Sequence, residues 1–231
     1  MGVPRPAREE QQGQPDRAAL TRQAIIAAAT AAFAEAGYAK TAMASVADRA
    51  GTSVGLLYYH FGSKEALFSA IWDEYQSSQE ERLRHVIRTA QADGIEDGLE
   101  LLLIGTRVYL EGAWNQRLVY EVVHLRDAPA AFMEPSPLVT ERWTRKNRRL
   151  IEADDPLLGR AMLAAVVGAL GGLCREIVRC SSDDEARDVI ERSVPLLGGL
   201  VRAFRQLVSG EPLDRDRHGQ KAVPAPGVVS A

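Results

Sequence analysis

Two short apolar-faced segments joined at one glycine constrain this 231-residue chain more than any other feature. Residues 43–50 and 54–60 lie within TAMASVADRAGTSVGLLYYHFGSK (41–64), and each is only about two helical turns long. Helices that short are marginal alone in water, so they form only when locked against each other. Val46, Ala47 and Ala50 face one way on the first, and Val54 and Leu57 do so on the second. Ala47 is small where two crossing helices approach closely, and Gly51 stands where the turn needs positive φ. Thr52 and Ser53 then offer N-caps for the second helix. A small residue, a glycine four positions on and an apolar residue six after that is the spacing of a helix-turn-helix, which reads the major groove with its second helix. Spacing alone leaves an ordinary helix pair as the alternative.

The rest of the chain points to an all-α protein. Thr21 offers a cap for a first helix, with Leu20 and Ile25 as a hydrophobic staple. Ile25, Ala28, Ala32, Phe33 and Ala36 make its apolar face, and Gly37 ends it. Further helices are expected near 64–90, opening at Ser63, and near 95–113, 115–127, 137–152, 156–179 and 184–208, with Pro129, Pro135, Pro137 and Pro156 at the breaks. No strand alternation or internal repeat interrupts them. Residues 1–19 and 210–231, rich in Pro, Gly, Gln and charge, read as disordered tails. The longest uncharged apolar stretch, 161–174, falls short of the ~18 residues a membrane span needs. The first nineteen residues are polar and carry Pro4, Pro6 and Pro15, unlike a secretory signal. Cys174 and Cys180 read as reduced, buried thiols. A cytoplasmic protein is expected, with no membrane partner.

Charge divides unevenly. The net charge of -3 excludes whole-chain polyanion binding, yet residues 17–64 hold five basic residues against two acidic, and residues 65–231 hold 21 against 26. A basic head on an acidic body suits a nucleic-acid reader with a separate regulatory domain.

The run from Thr21 to Trp72 closely resembles the DNA-binding domain of the TetR family of transcriptional regulators. The matching pieces are Phe33-x-x-x-Gly37-Tyr38, Thr41, Val46-Ala47-x-x-Ala50-Gly51 and Leu57-Tyr58-x-His60-Phe61-x-Ser63-Lys64-Glu65-x-Leu67. The resemblance implies a DNA-binding domain over 20–68 and a larger helical ligand-binding and dimerisation domain over 69–209. It makes 54–60 the recognition helix, with Ser53, Val54, Gly55 and Leu56 facing the bases and Thr52 beside them. Tyr58, His60 and Lys64 would grip phosphates, Thr41 would seat the second helix on the DNA backbone, and Arg22 would reach the flanking backbone. Tyr59 suits either job. Val54 and Leu56 carry no hydrogen-bonding group, so each is either an apolar base contact or simply packed. The chain departs from the family pattern at Thr52 and at Ala42-Met43, so specificity does not carry over.

In the body, Ile190, Val194, Leu197, Val201, Phe204 and Val208 form a 3.5-residue seam, and Leu196, Leu200, Ala203 and Leu207 a second stripe. Ala164, Gly168 and Gly172 form a flat strip on the preceding helix. Both helices suit either pairing with a symmetry mate, as in the family's dimers, or burial within one subunit. By analogy with the family, Trp114, Tyr120, His124, Phe132, Met133 and Trp143 would line an effector pocket, with Arg107, Arg126 or His124 as polar contacts; the alternative is ordinary core or surface. The basic cluster at 142–149 is either a phosphate or anion contact or a solvated face.

Enzyme signatures are missing: there is no G-x-S-x-G elbow, phosphate loop, H-E-x-x-H or dinucleotide fingerprint, and no metal-ligand spacing. No cofactor is expected. The reading is therefore a ligand-responsive homodimeric repressor on a palindromic DNA operator. The alternatives are a body that binds a protein partner and an all-α enzyme whose site the sequence does not reveal. A cavity of roughly 300 Å³ or more separates a small-molecule pocket from a protein-binding body.

Overall fold

An alanine-rich run with Ile25, Ile26 and Phe33 forms the first helix, α1 (Arg17–Ala36), whose Ile25, Ile26, Ala29 and Phe33 are buried. The computed structural model describes residues 17–125, 127–129, 132 and 156–209. Helix α1 begins one turn earlier than Thr21 suggests. The Thr21 hydroxyl donates to the Arg17 carbonyl at 2.9 Å, and Leu20 is exposed, so the expected cap and staple are not formed. At the other end Gly37 takes φ +84° and its N–H closes onto the Phe33 carbonyl.

Three short punctuations then set the path of the chain. Helices α2 (Met43–Arg49) and α3 (Val54–Phe61) are separated by Gly51 at φ +63°. The Ser53 hydroxyl accepts from the Leu56 N–H and caps α3. Ser63 does the same for α4 (Lys64–Ala92), accepting from the Ala66 N–H. Helix α4 spans about 43 Å at 1.5 Å per residue, enough to run from the short helices deep into the body.

The body follows as α5 (Gly98–Asn115), capped by Asp97, and a four-residue α6 (Arg117–Tyr120) that widens into a π-helical turn over Glu121–Leu125. Helices α7 (Pro156–Ile177) and α8 (Asp183–Ser209) complete the described chain. Within the described residues the expected helices are present with shifted ends, and the π turn is a further departure, because a wide turn leaves no mark on a 3.6-residue apolar pattern.

One continuous core links head and body. Ile25, Phe33, Val46, Leu57, Leu67 and Phe68 at the head join Tyr75, Leu110, Trp114, Val122, Ile177, Ile190 and Val194 in the body. A smaller cluster of Leu102, Met162, Leu163, Val166 and Val201 closes the far end. Cys174 is buried and Cys180 half-buried, both as free thiols. Among the described residues no helix is long and apolar enough to cross a membrane.

Candidate nucleic-acid interface

Helices α2 and α3 are locked as their sequence requires. Val46 and Ala47 are buried against the core, and Leu57 is the only α3 residue that is fully buried. Ser53, Val54, Gly55, Leu56, Tyr58 and Tyr59 are all exposed. Val54, expected to pack beside Leu57, is 37% exposed and Leu56 39%, while Tyr59 reaches 82%. Thr52 and His60 are half-buried, the latter with its ring 5.6 Å from that of Tyr59. Phe61 packs on the core as expected.

Two of the residues nominated for contact with the DNA backbone, Lys64 and Arg22, are engaged within the protein. The Lys64 Nζ donates to the Ala39 carbonyl at 3.1 Å and stands 4.5 Å from the centre of the Tyr38 ring. Arg22 pairs with Glu74 at 2.6 Å and lies over the Phe61 ring, tying α1 to α4. Arg49 likewise forms a two-pronged pair with Glu35 at 2.6 and 2.8 Å. That pairing holds the Glu35 carboxyl below its usual range.

Thr41 requires a correction. Its side chain is buried, and its hydroxyl lies 2.7 Å from the Gly37 carbonyl and 3.1 Å from that of Ala32. The hydroxyl has one proton to donate, so it ties the turn after α1 to one of these carbonyls from inside the fold, and the buried side chain offers no surface to a DNA backbone.

Asp127 is a further contributor that the sequence hides. Its carboxylate accepts the Tyr38 N–H at 2.7 Å and the Ala39 N–H at 2.8 Å, gripping the turn that leads into α2. These bonds and nearby Lys64 hold its carboxyl below the usual range. A Cβ on Gly37 would meet the Asp127 Oδ1 at 2.7 Å, so this contact also needs glycine there. The partners are 88 and 89 residues apart, and only the folded chain brings them together.

Residues 25–71, from the middle of α1 to the first turns of α4, match the family model described as bacterial regulatory proteins, tetR family. Over these residues the chain carries a DNA-binding domain of the TetR family. A relative named as the probable acrEF/envCD operon repressor of Escherichia coli (strain K12) is 31% identical over 104 residues, 45% of this chain and 47% of that protein. The chain thus spans about half the length of the curated relatives it matches. A TetR-like transcriptional regulator from Rhodococcus sp. RHA1 superposes with a TM-score of 0.61 at 22% identity, covering 86% of this chain and all of that one. A TetR-family transcriptional regulator from Pectobacterium atrosepticum gives 0.56 at 27% identity, covering 82% and 97%.

The residues expected to line an effector pocket fall into two places. Tyr120, His124 and Phe132 gather with Trp72 and Tyr75. The His124 ring lies 4.5 Å from Tyr120, 5.0 Å from Trp72 and 5.7 Å from Tyr75, and Phe132 packs on Phe68 and Trp72. Arg107 and Trp114 instead line a cleft of about 280 Å³ between α5 and α8. There Arg107 is paired with Glu191, and the Trp114 indole donates to Asp183 at 2.9 Å. A second cleft of about 200 Å³ lies where α1, α4 and α6 meet, beside Thr30, Tyr75 and Gln116. Met133, Trp143, Arg126, the expected helix at 137–152 and the 142–149 basic cluster lie outside the described residues.

Desolvation against these rings, with the positive charge of Arg175, pushes the His124 pKa down to about 4, although more than a third of the residue's surface stays exposed. A histidine held neutral in the fold but free to charge when unfolded penalises folding as the pH drops. The penalty is absent above the unfolded value near 6.5, grows through the window down to about 4, and is complete below it. Replacing His124 with glutamine is expected to flatten that part of the profile, measured as thermal midpoints between pH 4 and 7.5. Parallel profiles for the two proteins would contradict the assignment.

The expected dimer seam also needs correction. Ile190, Val194, Leu197 and Val201 are all buried within the chain, where α8 packs on α5 and α7. Phe204 packs on the smaller core cluster. Leu196 and Leu200, from the second stripe, are exposed instead. On α7, Gly168 is exposed with nothing near it, and Gly172 is half-buried.

Proposed function

We propose that this chain is a DNA-binding transcriptional repressor that acts as a homodimer on a palindromic operator and is released by a small-molecule effector. The observation that carries it is the exposed face of α3, from Ser53 to Tyr59, on a helix pair clamped by a buried Leu57 and a left-handed Gly51. The 20–68 head reads DNA and the 69–209 body regulates it, with α4 running through both. A relative named as a probable operon repressor supports repression over activation.

A single α3 touches few base pairs, so a twofold partner that doubles the site is the natural arrangement. Gly168 on α7 with Leu196 and Leu200 on α8 supplies an exposed small-residue and apolar surface for that partner. The Trp72–Tyr75–Tyr120–His124 ring cluster is the effector site. His124 precedes Asp127 by three residues, so a ligand that displaces those rings also strains the carboxylate grip on Tyr38 and Ala39. The effector shifts the population toward a head spacing that cannot span two half-sites, by its differential affinity for the two states. A body that binds a protein instead is favoured by one observation. The two described clefts, about 280 and 200 Å³, lie beneath the ~300 Å³ at which small-molecule pockets begin.

Lys64→Ala tests the phosphate role. In DNA binding the Lys64 ammonium exchanges the Ala39 carbonyl for a phosphate and releases a counterion. The variant is expected to weaken all duplexes alike and to reduce the slope of log affinity against log salt by about 1 per subunit. An unchanged slope with weaker binding would mean that Lys64 only braces the 37–39 turn.

A further inference from the structure

We propose that α3 reads thymine through its C5 methyl group, by apolar contact from Val54 and Leu56. This rests on the DNA-reading function proposed above. Bidentate base recognition in the major groove uses arginine or lysine on guanine and asparagine or glutamine on adenine, and acidic groups accept from cytosine. The span from Ser53 to Phe61 contains none of these residue types. Its leading end instead presents Val54 and Leu56, each more than a third exposed, on either side of Gly55.

The serine and the two arginines closest to this end are already engaged within the protein. The Ser53 hydroxyl serves as the helix cap, accepting the Leu56 N–H at 3.1 Å, which leaves it a single proton to donate. Arg49, at the end of α2, is held by both oxygens of Glu35, and Arg22 is held by Glu74. Around Gly55 the surface is bare: a Cβ placed there would find only the Ser53 hydroxyl oxygen, at 4.0 Å. The helix backbone can therefore sink close to the base edges and carry the flanking valine and leucine with it. Among the groups on a base edge, the one that matches an alkyl side chain is the thymine methyl.

The test uses the full chain and a duplex that it enriches from a randomised pool. Deoxyuridine is then substituted for thymidine one position at a time, which removes the methyl and keeps the base pairing. Each contacted position is expected to lose about fourfold in affinity, the value of one buried methyl group. Leu56→Ala and Val54→Ala, both at exposed positions, should bind the thymidine duplex more weakly. Each should also lose the thymidine-over-uridine preference at its own position only. Enrichment of a duplex that binds equally well with uridine throughout overturns the methyl reading and leaves DNA recognition standing. Failure to enrich any duplex overturns both.

Discussion

Phe68→Ala is expected to destabilise the fold by about 3–5 kcal/mol, the usual cost of emptying a fully enclosed aromatic site. Phe68 has no exposed surface, and its ring touches those of Phe33, Tyr38 and Phe132 at centroid distances of 6.1, 5.4 and 5.1 Å. Those three rings come from α1, the turn after it and the segment beyond the π turn. Removal of Phe68 therefore opens a cavity where head and body share their core, and neither side can collapse alone to fill it. Denaturant unfolding followed by tryptophan fluorescence measures the effect, with Trp72 close to the cavity. A single transition with a lower midpoint is expected, and a loss below about 1 kcal/mol would show that the site repacks.

Gly55→Glu is expected to abolish operator binding while leaving the fold intact. Gly55 is helical, does not require positive φ, and has open space where a side chain would emerge. Glutamate is also a better helix former than glycine, so stability should hold or rise slightly. On the DNA side, the same change places a carboxylate between Val54 and Leu56, against phosphates and base edges. Like-charge contact costs several kcal/mol, so affinity should fall by more than about a hundredfold. Electrophoretic mobility of the enriched duplex, with a thermal melt of the same sample, reads both effects. Near-native binding would move the DNA-contacting surface away from α3.

The helices were legible in the sequence because they carry strong local marks: Gly37, Gly51, Ser53 and Ser63 all act where their residue types predict. Faces were harder. On α3, Val54 and Leu57 lie three residues apart on one side of a short helix, and that spacing cannot say which of them reaches the core. The 3.5-residue seam of α8 describes packing against a helix without saying whose, and the helix turned out to be in the same chain. Thr41 has the size and polarity of a surface contact. Its burial follows from the turn after α1, which brings its hydroxyl within reach of the Gly37 and Ala32 carbonyls. The ties across long stretches of chain, Asp127 to the 37–39 turn and Arg22 to Glu74, have no local signature at all. They arise where separate elements meet, and they bear directly on how freely the basic head residues can reach DNA.

The most direct test of the account is a footprint of the full chain on its enriched duplex at two salt concentrations. Two protected half-sites related by a twofold axis are predicted, with centres about 34–36 Å or a multiple of that apart, and the protection should persist at the higher salt. Diffuse protection without a preferred sequence, lost as salt is added, would contradict the central claim that the α3 surface reads DNA sequence in a dimer.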